Sequence, residues 1–121
     1  MEPYIARAVE ADERVTQERC YILETGNDSR DPEVGIARAR VEPGVTTARH
    51  VLSVDERYVI TQGRGRMEVE GLEPADVGPG DIVVIPKGRS QRITNISDRD
   101  LVFYCVCTPR FEPEHYRDLE G

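Results

Sequence analysis

The stretch from Gly44 to Gly63 constrains the fold of this chain more than any other. It reads as a strand, a short turn and a second strand, with His50 in the first and Glu56 opening the second. Side chains alternate across a strand, so Thr46, Ala48, His50 and Leu52 share one face. Glu56, Tyr58 and Ile60 share a face of the next strand. If both faces point inward, an imidazole and a carboxylate meet inside a β structure. This is the place where the sequence suggests chemistry.

The flanking sequence follows the same short-strand rhythm. Cys20 to Glu24 reads as a first strand, and the run from Gly26 to Pro32 is turn chemistry. Val34 to Val41 is a second strand, broken by Glu42, Pro43 and Gly44. Gly63-Arg64-Gly65 permits a tight turn, after which Arg66 to Glu70 alternates with Met67 and Val69 inward. Residues 71–80 read as an irregular connection. Asp81 to Ile85 is a nearly continuous apolar run, the pattern of a strand buried on both faces. Pro86-Lys87-Gly88 turns the chain into Ser90 to Asn95, and Leu101 to Cys107 is the last long strand. Turn signals every eight to twelve residues or so predict an all-β sandwich or barrel. Residues 1–18 form a polar arm, weakly helical or extended. The tail, residues 109–121, is too rich in proline and charge for a strand. It is expected to form a short helix pinned by Phe111 and Tyr116.

A chain of 121 residues suits one domain. Its net charge of −7 argues against nucleic acid, whose phosphates call for a basic face. No apolar run approaches the roughly 20 residues of a membrane helix. The N-terminus also lacks the basic-then-apolar pattern of a secretory leader, so a cytoplasmic protein is expected. Three cysteines do not make a disulfide framework, and Cys105 and Cys107 read as small apolar filler on one strand face.

Gly44, His50, Glu56 and Gly63 fall at the spacing of the first cupin motif. The segment from Gly80 through Pro86, Gly88 and Gln91 to Asn95 resembles the second. The chain thus resembles the cupin superfamily, among small single-domain members of the mannose-6-phosphate isomerase-like type. The resemblance implies one small jelly-roll β-barrel over residues 19–108, between the arm and the tail.

Metal-binding cupins offer two histidines and a glutamate from the first motif and a third histidine from the second. His50 and Glu56 match that pattern, whereas Leu52 takes the second histidine position and Gln91 the third. Asn95 matches the closing asparagine. The resemblance implies a divalent metal (zinc, manganese, iron or nickel) on His50, Glu56 and Gln91, with water completing the shell. The facial triad of oxygen-activating iron is missing, and His115 lies in the tail, so an iron dioxygenase is not expected. The alternative is a metal-free site: the same trio bonds to itself or grips a small molecule directly.

In an enzyme of isomerase type, His50 would exchange a proton, Glu56 would act as base or ligand and Gln91 would polarise a carbonyl. Tyr58 would be an aromatic wall whose hydroxyl can act as an acid. Phe103, Cys105 and Cys107 would line the opposite wall. A metabolite-binding module without catalysis, or a purely structural barrel, fits the same residues. The resemblance also implies a homodimer, joined through sheet edges or an exchanged N-terminal strand.

Overall fold

The computed structural model describes residues 1–121. Alternating side chains and frequent turn residues give eleven short strands. The first five are β1 (Arg14–Val15), β2 (Tyr21–Gly26), β3 (Gly35–Val41), β4 (His50–Leu52) and β5 (Asp55–Gln62). They are followed by β6 (Gly65–Val69), β7 (Ala75–Val77), β8 (Ile82–Ile85), β9 (Ser90–Asn95), β10 (Leu101–Thr108) and β11 (Tyr116–Asp118). Two antiparallel sheets result, in the orders β1-β2-β3-β10-β5-β8 and β11-β4-β9-β6-β7. Strands consecutive in sequence often lie in opposite sheets, which is the jelly-roll arrangement.

The core fills the space between the sheets. Along β5, Glu56, Tyr58 and Ile60 are buried while Asp55, Arg57 and Val59 are less so, as the period of two predicts. Met67 and Val69 also point inward, and Ile93, Leu101 and Phe103 complete the centre. A second small cluster, Leu52, Val54 and Cys107, packs under Phe111 and Tyr116. The β5–β6 turn needs glycine: Gly63 has φ +80°, and a Cβ there would stand 2.8 Å from the Asp100 carbonyl oxygen.

The structure corrects four local expectations. β8 is not buried on both faces. It is the edge strand of the six-stranded sheet, and Ile82 and Val84 are each 57% exposed. An apolar run alone cannot distinguish a central strand from an edge strand with an apolar outer face. Residues 71–80 contain a short strand, β7, paired with β6. Upstream of His50, regular strand structure is absent; Thr46 makes an isolated bridge to Thr94, and Thr47 and Ala48 are both buried.

The tail is the fourth. It makes one 3-10 turn, Pro113–His115, and then β11, which pairs with β4 through Tyr116 opposite Leu52 and Asp118 opposite His50. Proline and charge discouraged a strand in isolation. The open edge of β4 supplies the hydrogen bonds that make one. The N-terminal arm also folds onto its own chain. Arg38 holds Glu10 at 2.6 Å, and Arg40 holds Glu13 at 2.7 Å and Asp100 at 3.1 Å. No helix is long and apolar enough to cross a membrane.

Candidate functional site

The barrel interior holds a cavity of about 280 Å³ at one end. β4 brings His50 to it from one sheet, and β5 brings Glu56 and Tyr58 from the other. β10 contributes Phe103, Cys105 and Cys107 to the same wall. His50 and Glu56 thus both line the cavity, from opposite sheets. Two further wall residues were not singled out as functional from the sequence: Glu18, from the β1–β2 turn, and Tyr116, from β11. Glu18 lies in a polar segment without periodicity, so only the folded arm identifies it.

His50 is 3% exposed and its ring stacks on Tyr116 with centroids 5.1 Å apart. Its Nδ1 lies 2.8 Å from the Ala48 carbonyl oxygen, a geometry that puts the proton on Nδ1. Nε2 makes no hydrogen bond within the protein, so its lone pair is open on the cavity side. The Glu18 carboxylate stands beside the ring, with Oε1 3.2 Å from Nδ1.

Gln91 lies directly opposite His50 across the β4–β9 pair, but its amide is committed elsewhere. Gln91 Nε2 donates to Glu56 Oε1 at 2.8 Å, and the Tyr58 hydroxyl donates to Gln91 Oε1 at 2.6 Å. Cys107 Sγ donates to Glu56 Oε2 at 3.7 Å. Tyr58 stacks on Phe103 with centroids 4.3 Å apart, which locks the phenol in place. Asn95 is also structural here. It donates to the Val41 and Arg99 carbonyls at 2.9 and 2.8 Å and accepts from the Ser97 amide at 2.8 Å, holding the β9–β10 turn.

Burial dominates the electrostatics. It raises the Glu56 carboxyl above the ordinary carboxylate range, against the lowering pull of the Gln91 hydrogen bond and of His50. Burial likewise raises Glu18, opposed by His50 and reinforced by Asp118. The Tyr58 phenol is pushed well up by burial and then by Glu56. Cys20 is pushed up to about 12 and Cys105 well above its ordinary value, both mainly by burial. These thiols stay protonated near neutral pH and supply apolar wall, not nucleophiles.

The fold's usual divalent metal needs at least three protein donors around an open position. Gln91 is fully buried, is not part of the cavity wall, and divides its amide between Tyr58 and Glu56. Leu52 has no donor. No group of three or more His, Cys, Asp or Glu side chains gathers at one point. The residues present do not fit that metal.

The comparisons agree with the architecture. The family model described as "Cupin domain" matches residues 37–107, and the chain belongs to the cupin family. A variant of PAC13 from Streptomyces, solved with uridine, superposes with a TM-score of 0.77 at 16% identity, over 98% of this chain and 92% of that one. Oxalate decarboxylase from Bacillus subtilis gives a TM-score of 0.78 at 16% identity, covering 98% of this chain but 33% of its own. A sugar phosphate isomerase of the cupin superfamily from Silicibacter pomeroyi gives 0.63 at 24% identity, over 76% of this chain and 60% of that one. Among curated proteins there is no match. At these identities the likeness establishes the shared fold.

Proposed function

We propose that this cupin binds a small polar organic molecule in the barrel interior without a metal, and that His50 and Glu56 move protons on it. The observation that carries this reading is the state of His50. Nδ1–H is fixed on the Ala48 carbonyl, so Nε2 presents a lone pair to the cavity. Such a nitrogen is a general base in search of a proton. The imidazolium formed on protonation would be stabilised by Glu18, 3.2 Å from Nδ1. Glu56, raised toward its protonated form by burial, lies in the same cavity and can supply a proton to a ligand oxygen.

An imidazole base and a carboxyl group whose proton affinity burial raises, in one pocket, suit isomerisation. His50 Nε2 takes a proton from carbon next to a carbonyl while Glu56 protonates the carbonyl oxygen, and return of the protons at shifted positions completes the reaction. Gln91 and Tyr58 serve as positioning residues for Glu56. The cavity, about 280 Å³, suits a ligand of sugar or nucleoside size. The uridine bound by PAC13 supports that size class.

The test is a thermal-stability screen of sugars and nucleosides, with uridine as the first probe. It is run on wild-type protein and on His50→Gln, with mass spectrometry for conversion and elemental analysis of protein purified without chelators. A ligand-dependent rise in Tm that is lost in His50→Gln, with metal far below one equivalent, is the expected outcome. Stoichiometric metal that disappears in the variant would overturn the metal-free reading. Insensitivity of Tm to every probe would overturn the binding reading itself.

A further inference from the structure

Two acceptors on the cavity wall have no donor in the protein. His50 Nε2 accepts nothing, and the Glu18 carboxylate accepts no hydrogen bond either. Its polar neighbour, His50 Nδ1 at 3.2 Å, already directs its proton to the Ala48 carbonyl. Yet the Glu18 side chain is only 19% exposed. The Tyr116 hydroxyl is buried with no hydrogen-bond partner. A carboxylate withdrawn from water without donors is costly, and burial accordingly raises its affinity for a proton.

The charge on the walls points the same way. Glu18, Glu24 and Glu56 line the cavity, and the basic lining residue is Arg14. Arg14 stands at the rim with its side chain 58% exposed, and it pairs with Glu24 at 3.4 Å. No free cation reaches the interior to receive a phosphate or carboxylate. Aromatic faces from Phe103, Phe111 and Tyr116 complete the lining.

We infer that the cavity selects a ligand bearing a protonated amine, whose ammonium group donates to the Glu18 carboxylate. The inference rests on the reading of this cavity as a small-molecule site. An ammonium group brings three donors and no acceptor, which complements a carboxylate and an imidazole lone pair that both lack a donor. It supplies the charge that an unpartnered Glu18 lacks. Anionic ligands meet the unpartnered Glu18 carboxylate and find no unpaired cation, so the same residues discriminate against them. With the ammonium held at Glu18, the remainder of the ligand faces His50 Nε2 and Glu56.

Three probes of one size and different charge decide the matter: ethylammonium, ethanol and acetate. Each is titrated at neutral pH and constant ionic strength into ¹⁵N-labelled protein, following the Glu18 amide and the His50 ring nitrogens. Ethylammonium is expected to bind at least about tenfold more tightly than ethanol, with acetate weakest. Glu18→Gln is expected to bring ethylammonium to the level of ethanol, and Glu18→Asp to retain part of the preference. If Glu18→Gln does not fold, the wild-type ranking and Glu18→Asp still decide. Equal binding of ethanol and ethylammonium, tighter binding of acetate, or no response to ethylammonium overturns the inference. Should uridine raise Tm while ethylammonium shows no preference, the small-molecule site stands and the amine selectivity alone falls.

Discussion

Gln91 joins a phenol to a carboxyl group, and an amide suits that position because it donates from one end and accepts at the other. A ligand role would require turning that amide away from two buried partners, each left unsatisfied. Glu18 presents the opposite case, a partly buried carboxylate without hydrogen-bond donors. Its folded-state proton affinity is raised above the ordinary value of 4.5, so the folded chain holds this proton more tightly than the unfolded one. The ionisation penalty is therefore absent below about pH 4.5 and grows as pH rises through the folded-state value. Glu18→Gln removes the penalty. The Tm of this variant relative to wild type is expected to climb between pH 4.5 and pH 8, as followed by circular dichroism; a pH-independent difference would refute this account of the carboxylate.

At the scale of elements, the tail illustrates how tertiary context overrides local propensity. β11 is three residues long and would not persist alone, but it completes the edge of β4 and places Tyr116 over Leu52, Val54 and His50. Tyr116→Ala removes that packing and opens the cavity wall. A loss of about 2–4 kcal/mol in urea unfolding is expected, in the range of large-to-small changes at a partly buried site. A change below about 0.5 kcal/mol would mean that β11 contributes little to the fold. The strands of the two motifs were far more legible than the tail. Glu56, Tyr58 and Ile60 alternate with Asp55, Arg57 and Val59, so β5 and its inward residues followed directly from the period of two. β8 lacked that contrast. Its outward residues, Ile82 and Val84, are as apolar as its inward ones, so its exposure could not be read.

Over the whole molecule, the outer face of the six-stranded sheet carries an apolar field. The row Ile82, Val59 and Tyr104 crosses β8, β5 and β10, and a second row joins Val84 to Val106 and Ile36 around Arg57. Ile36, Ile82, Val84 and Tyr104 are all substantially exposed. A second copy of this chain, with the same flat apolar rows, is the occupant that would cover them symmetrically. Light scattering is expected to give twice the 13.7 kDa chain mass, and Val84→Glu to give the monomer; a monomeric wild type would overturn this. The arm pairs with β2 and is fastened by Arg38 and Arg40. The sequence by itself determined an all-β sandwich or barrel, because alternation and turn chemistry are local, and its likeness to the cupin motifs narrowed this to a jelly roll around His50 and Glu56. Only the tertiary structure decided that Gln91 is spent on Tyr58 and Glu56, and that Glu18 and Tyr116 close the site on His50. Those contacts join segments far apart in the chain, and no local pattern encodes which buried group finds a partner.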